Sequence, residues 1–388
     1  MQQINVLKST TIVVNNGTIS WIGPSSRAPT TMRETQEIDV SGKTILPGFV
    51  DSHTHLVFSG TREKEFEQRI EGRSYQEIAA AGGGILATVQ SVRASSRQEL
   101  IDLAHSRLQR MLGFGVTTVE VKSGYGLTWE DERRCLEVIA ELNELSPIEL
   151  IPTFLGAHAI PPEFQQRRAG YVDLLINEML PEVSQRKLAQ FCDVFCDVGA
   201  FTVSESEAIL SRARDLGLRL KIHAEELSAN GGAALAAKLG AVSADHLLCV
   251  SDEGIAALAA SGTIATLLPG TAFFLGLGYA PARKMIERGL AVAIASDCNP
   301  GTCPTENLPL MGTMACTGMR MRPAEVVSAL TLNGAAALGL GERIGSIEVG
   351  KQADLLVCDV PHYEQLFYHF GVNHVRSVIK RGEIVFEA

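Results

Sequence analysis

The sequence has no pair of C-x-x-C units, and its eight cysteines are scattered over 388 residues. That spacing argues against a disulfide framework and for reduced core or loop residues. Cys192 and Cys196, in the strand-like "FCDVFCDVGAF", read as small buried apolar side chains. Positive charge is also short: 34 Lys and Arg stand against 44 Asp and Glu, a formal net charge of -10. Without clustered cations to release counterions from a phosphate backbone, no nucleic-acid partner is expected. No apolar run reaches the roughly 20 residues of a membrane helix, and the opening "MQQINVLKST" lacks the regions of a signal peptide. A cytoplasmic protein with no membrane partner is the expectation. What the chain does have is material for a large core, with 46% hydrophobic and 20% charged residues, enough for one big domain and a smaller one.

Residues 1–47 contain "TIVVNNGTISWIGP", two β-branched runs around an Asn-Asn-Gly turn, which is a hairpin pattern. Residues 344–388 return to short strands broken by glycine, in "IGSIEVGKQADLLVCDV" and "VRSVIKRGEIVFEA". The two ends are therefore expected to meet in one small composite β domain, a β-sandwich, with residues 48–343 inserted between them.

The middle alternates strand and helix. Strands are expected at Phe49–His53, Val116–Lys122, Glu149–Leu155, Phe191–Val198, Leu218–His223, Ser243–Leu247, Thr263–Leu268 and Ala291–Ser296. Capping-box spacing marks helix starts at Ser96 with Glu99, Thr128 with Asp131 and Ser204 with Glu207, and Pro323 suits the first turn of a last helix. Nearly all-apolar strands, each followed by a helix, predict a parallel sheet covered on its outside, an α/β fold of the (β/α)8 TIM-barrel type. The stretch from Leu56 to Ser95 departs from that rhythm and reads as a long functional loop. Its glycine triplet, Gly82 to Gly84, lacks phosphate-binding spacing.

In such a barrel, chemistry gathers where the strands end. His53 and His55 follow the first strand, Tyr125 the second, His158 the third, His223, Glu225 and Glu226 the fifth, His246 the sixth, and Asp297 to Thr302 the eighth. In extended chain, residues i and i+2 share a side, so His53 and His55 can bring two ring nitrogens to one ion. Neutral imidazole suits zinc or iron, and a third His with a carboxylate would complete a shell that leaves room for water; His223 and Asp297 are the candidates. A lone His at a strand end is more often a hydrogen-bonded structural residue. The weight here comes from the joint placement of the H-x-H pair, two further His and an Asp at one barrel end. His105, inside a helical pattern, and His362, His369 and His374, in the tail, read as packing or surface residues.

On these residues the sequence resembles the amidohydrolase superfamily: "PGFVDSHTH", a His after the fifth strand and another after the sixth, an Asp after the eighth, and the trailing "GSIEVGKQADLLVCD". The set "HTHLVFSGTRE", "EVKSGYGL", "GAHAIPPEF", "HAEELS", "ADHL" and "SDCNPGT" narrows the resemblance. It is to the members that hydrolyse the ring amide of 4-imidazolone-5-propanoate to N-formimidoyl-L-glutamate in histidine degradation, and it runs from about Gly17 to Glu387. The resemblance implies metal ligands His53, His55, His223 and Asp297 for one Zn or Fe ion per subunit. It also implies substrate contacts at Arg62, Tyr75, Tyr125, His158, Glu226, Asn299, Gly301 and Thr302, and a homodimer. Two-metal members of the superfamily use a carbamylated lysine after the fourth strand, and "FCDVGAF" has none there.

Roles follow within that reading. A metal lowers the pKa of bound water to about 7, and Asp297 can accept its proton. Glu226 can orient the substrate nitrogens or carry a proton to the leaving one if burial raises its pKa, with Glu225 the solvated neighbour. His246 can polarise the ring carbonyl, its bland alternative being a prop for a ligand. Arg62 offers a planar fork to the propanoate, the alternative being a solvated helix face. Tyr125 and His158 can supply neutral hydrogen bonds, while Asn299, Gly301 and Thr302 can offer donors to the new carboxylate. The alternative enzyme is a deaminase of a nucleobase or related heterocycle, which would release ammonia. A non-catalytic scaffold would be expected to lack part of the ligand set.

Overall fold

The computed structural model describes residues 4–29, 36–73, 77–78 and 82–388. Strands β1 (Thr10–Asn15) and β2 (Thr18–Pro24) form an antiparallel hairpin turned at Asn16 and Gly17, whose φ values are +49° and +74°. Left-handed φ at both turn residues is what an Asn-Gly hairpin supplies. After β3 (Thr44–Pro47) come eight parallel strands that pair in chain order: β4 (Phe49–Asp51), β5 (Val116–Lys122), β6 (Glu149–Ala157), β7 (Phe191–Cys196), β8 (Arg219–Ala224), β9 (Ser243–His246), β10 (Ile264–Leu267) and β11 (Val292–Ile294). The ring closes just past its first and last strands. There the Asp297 N–H donates to the His53 carbonyl and the His55 N–H to the Cys298 carbonyl, each at 3.0 Å. Barrel closure and the candidate ligands thus occupy the same backbone.

Alternation along the strands sorts the side chains. Val119, Val121, Val194, Ile222 and Ala244 belong to the continuous apolar core. The alternate set, Glu120, Lys122, Asp193, Lys221, His223 and Asp245, meets inside the ring. The expectation of nearly all-apolar strands therefore fails for the inward face, which is charged at its upper end.

Ser96 caps the helix Arg97–Gly113 in a reciprocal capping box with Glu99, Thr128 caps Trp129–Leu145, and Pro323 stands at the first position of Pro323–Leu330. The third expected start is corrected. The cap of Val203–Asp215 is Thr202 with Glu205, and Ser204 lies inside the helix. The stretch from Leu56 to Ser95 is also corrected, because it carries helices at Glu63–Ile70 and Ile85–Ala94. In the second of these Val89 and Val92 are buried three residues apart, the face that anchors it. Arg107, itself buried, donates from Nη1 to the Leu56 carbonyl at 3.0 Å and the Phe58 carbonyl at 2.9 Å, pinning the chain that leaves the histidine pair.

The tail adds β12 (Leu355–Cys358), β13 (Val375–Lys380) and β14 (Glu383–Glu387), which with β3 make an antiparallel sheet in the order β14-β13-β12-β3. Leu355, Val357 and Ile379 pack against Ile19 and the partly buried Ile12, Val14 and Ile22 of the hairpin. Leu356, Cys358 and Val378 join the core of the barrel. One strand period thus makes a two-layer β unit and fixes it to the barrel. Among the described residues, no helix is long and apolar enough to cross a membrane.

Candidate active site at the barrel mouth

Thr54, between the two histidines, donates its hydroxyl to the Glu120 carbonyl at 2.6 Å, fastening the turn to β5. His53 and His55 each place Nε2 3.6 Å from Asp297 Oδ1. His223 Nε2 lies 3.3 Å from His55 Nε2, and the His53 and His223 ring centroids are 4.5 Å apart. His53 Nε2 and Asp297 Oδ1 are buried with no hydrogen-bond partner. An unmatched buried polar group costs about 1–3 kcal/mol, and a cation at the point these atoms face removes that cost. Donor atoms of His53, His55 and Asp297 fall within 4.8 Å of one another, as do those of His53, His223 and His246. Imidazole nitrogens with one carboxylate oxygen are a donor set that fits a metal ion.

Carboxylates deeper in the barrel orient these rings. His53 Nδ1 is 2.6 Å from Asp245 Oδ2, which holds the proton on Nδ1 and leaves Nε2 its lone pair. His223 Nδ1 lies 3.0 Å from Asp193 Oδ2, off the line of a well-aligned hydrogen bond. Burial, with the cation of Lys122 and neighbouring histidines adding to it, pushes His53 well below the ordinary imidazole range; His55 shifts the same way, burial first and then His158 and His223. Both are neutral and able to coordinate. Thr271 Oγ1 donates to Asp297 Oδ2 at 2.5 Å and so leaves Oδ1 for the mouth. Burial pushes the Asp297 carboxyl up to about 6, against the pull of Thr271 and His223. Glu225, His246, Leu247 and Asp297 all have left-handed φ, +54°, +75°, +58° and +53°. Strain of that kind gathers where a site over-determines its backbone.

The remaining residues line the same opening. His246 Nδ1 stands 3.6 Å from Glu226 Oε2. Burial, with the negative charges of Asp297 and Asp197, pushes Glu226 up to about 8, and burial pushes His246 well down. The expectation that Glu225 is the solvated neighbour is reversed. Glu225 is 3% exposed and accepts from the N–H groups of Gly231 at 3.1 Å and Ala233 at 3.3 Å, at the start of the helix Gly232–Leu239. His158 stacks on His55 at 4.9 Å and donates Nδ1–H to the Gly124 carbonyl at 3.0 Å, while burial takes its pKa down to about 3. Tyr125 lies 5.3 Å from His158 and 5.8 Å from His55, its phenol held protonated by burial.

Arg62 is no solvated helix residue: its side chain is 13% exposed. Its fork is partly committed, with Nε and Nη2 donating to Glu65 Oε2 at 2.9 and 2.7 Å. Glu65 Oε1 in turn accepts from the Gly84 N–H at 3.0 Å. The Asn299 turn departs from its expected donor role. Asn299 Oδ1 already accepts from the N–H groups of Gly301 and Thr302, both at 2.8 Å, and its Nδ2 donates to the Asp297 carbonyl at 2.7 Å and to Thr302 Oγ1 at 2.8 Å. Tyr75 lies outside the described residues.

Comparison with known proteins gives the family. Residues 44–385 match the amidohydrolase family. The imidazolonepropionase of Geobacillus kaustophilus (strain HTA426) is 48% identical over 389 residues, 99% of this chain and 92% of that protein. The imidazolonepropionase of Caldanaerobacter subterraneus subsp. tengcongensis is 50% identical over 380 residues, 98% of this chain and 91% of that one. The chain belongs to the amidohydrolase family, among the imidazolonepropionases. The crystal structure of 5-methylcytosine deaminase from Klebsiella pneumoniae, liganded with phosphonocytosine, shares the fold, with a TM-score of 0.76 at 16% identity over 98% of this chain and 95% of that one.

Sequence reasoning on this amidohydrolase missed the residues behind the rings: Asp193, Asp245, Lys122, Glu120 and Thr271. A signal existed for part of that set. Lys221 with His223 and Glu120 with Lys122 share the two-residue spacing of the H-x-H pair, which puts each couple on one side of its strand.

Proposed function

We propose that this amidohydrolase hydrolyses the ring amide C–N bond of 4-imidazolone-5-propanoate to give N-formimidoyl-L-glutamate. The observation that carries the reading is an identity of about one half, over nearly the whole chain, with proteins named imidazolonepropionase. His53, His55, His223 and Asp297 hold one Zn or Fe ion per subunit in this reading, and the protein is a cytoplasmic homodimer. Residues 1–47 with 344–388 form its composite β domain, and 48–343 its barrel.

When bound, the ion lowers the pKa of a water and polarises a carbonyl. The protein's own groups do the rest. Asp297 accepts a proton from the attacking water as its oxygen bonds to the ring carbonyl carbon. Glu226, which carries a proton near pH 7, gives it to the ring nitrogen as the C–N bond breaks, and the proton on Asp297 then restores it. His246, beside Glu226 and neutral, donates a ring N–H to the carbonyl oxygen as charge builds there. Arg62 Nη1, the part of the fork that Glu65 leaves over, meets the propanoate. Tyr125 donates its hydroxyl to the substrate, and His158, whose Nδ1–H is committed to Gly124, offers Nε2 as an acceptor. Tyr75 joins the contacts. The Asn299–Thr302 turn contributes chiefly through the bare Cα of Gly301, against which Arg62 lies.

The test is to supply 4-imidazolone-5-propanoate, freshly made from urocanate, and to look for N-formimidoyl-L-glutamate. Ammonia release from cytosine or guanine, with no ring opening of the imidazolone, would favour a deaminase instead.

A further inference from the structure

Lys122 opens the "KSGYG" segment, and no step of the proposed chemistry uses it. It is fully buried, on the inward side of β5, with its Nζ 2.6 Å from Glu120 Oε1, 2.8 Å from Asp193 Oδ2 and 3.9 Å from Asp245 Oδ2. Asp193 comes from β7 and Asp245 from β9, so the ammonium reaches across the barrel to strands on either side of β8, which carries His223. Those two carboxylates are the ones that meet the rings, Asp245 at His53 Nδ1 (2.6 Å) and Asp193 at His223 Nδ1 (3.0 Å). Glu120 is itself fixed from a third direction, accepting from Thr153 Oγ1 at 2.6 Å.

We propose that Lys122 is a positioning residue of the metal centre: one buried cation, hydrogen-bonded to Asp193 and within ion-pair distance of Asp245, aims the His223 ring at the ion it shares with His53. This rests on the ligand assignment above and deepens it. Two like-charged carboxylates in a buried, low-dielectric interior repel unless a cation stands between them. The second buried lysine does not replace it. Lys221 Nζ lies 3.7 Å from Asp245 Oδ2 and donates to the carbonyls of Ser52 at 3.2 Å and Ala337 at 3.4 Å, with no contact to Asp193 among those the structure shows. Without Lys122, Asp193 would keep the His223 backbone N–H on Oδ1 at 3.2 Å, but Oδ2, the oxygen facing the His223 ring, would lose its cation and the ring its fixed partner.

The experiment compares the parent with Lys122→Met and with Lys122→Met/Glu120→Gln, which removes one buried charge of each sign and so keeps the parent's balance. Zinc affinity is read by competition with a chromogenic chelator, and ligand geometry by the visible spectrum of the cobalt-substituted protein. Orienting groups behind a ligand typically contribute about 10- to 100-fold to metal affinity, and a loss in that range is expected in both variants. The cobalt spectrum should change and kcat should fall more than KM rises. Parent-like zinc affinity and cobalt spectrum in the folded double variant would overturn the proposal. If the variants fold only with metal present, the readout becomes the rise in Tm on adding zinc: a smaller rise than the parent's supports the proposal, and an equal one overturns it. Recovery of no folded variant would assign Lys122 to the fold and overturn it as well. His223→Ala is the control. Parent-like zinc binding there would mean that the ligand assignment is wrong, whereas zinc loss there with parent-like binding in the Lys122 variants would sink this inference alone.

Discussion

Gly301→Ala should damage substrate binding through a residue it does not replace. A Cβ built on Gly301 would stand 2.0 Å from Arg62 Nη1 and 2.8 Å from its Cζ, where real Cβ contacts begin near 3 Å, so the guanidinium must move by about 1 Å. The backbone at Gly301 is not in the left-handed region, and the obstructing atoms are the far end of a flexible side chain. The fold should therefore bear the change and Tm should hardly move. What gives way is the direction of Nη1, because Glu65 grips Nε and Nη2. A hydrogen bond to a charged group contributes about 1.5–3 kcal/mol, or roughly 10- to 150-fold in affinity. Steady-state kinetics on 4-imidazolone-5-propanoate should show KM raised by about that factor with kcat changed much less. Arg62→Ala should raise KM comparably, and adding Gly301→Ala to Arg62→Ala should cost nothing further, since both act on one contact. An unchanged KM in Gly301→Ala, or fully additive effects in the double variant, would refute the argument.

The eight strands were legible from short segments with apolar residues on at least one face, spaced by helical patterns and ended by a polar cluster or glycine, and the H-x-H spacing pointed at the mouth through the same alternation of sides. The charged interior was not legible. Lys122 and Asp193 are 71 residues apart in the chain, and a lone charge in a strand carries no mark of the partner that makes its burial tolerable. "TVSESE" fits the capping box in two registers, and the fold takes Thr202 with Glu205, directly behind the fully buried Phe201. Glu225 and Glu226 are chemically identical neighbours. Only the left-handed backbone at Glu225 sends that side chain to a helix N-terminus and leaves Glu226 at the mouth. The helices Glu63–Ile70 and Ile85–Ala94 contain no glycine, but they are short and set between Gly60, Gly72 and the Gly82 to Gly84 triplet, which read as loop.

His223→Ala should strip the ion and abolish turnover, and full activity with undiminished metal content would remove His223 from the ligands. Thr202→Ala should cost about 1 kcal/mol of stability as a lost helix cap while Ser204→Ala costs little; urea unfolding of the pair reads the difference, and the reverse order would refute the cap assignment. The pH dependence of the metal-free protein tests Glu226. Its folded pKa of about 8 lies above the ordinary 4.5, so between those values the folded chain holds a proton that the unfolded chain gives up. The contribution is fully present below about pH 4.5 and is lost as pH rises through 8. Other buried groups titrate in the same range, Asp51 pushed up to about 7 and Asp297 up to about 6 by burial and His158 down to about 3, so the quantity to follow is the difference between parent and Glu226→Gln, in which Asp51 and His158 cancel and what is left is Glu226 together with its charge coupling to Asp297. The Tm of the parent relative to Glu226→Gln should fall steadily as pH rises from about 5 to 9. A difference that does not vary with pH would mean that Glu226 is ionised in the folded protein across that range, and it could not then be the proton donor to the leaving nitrogen.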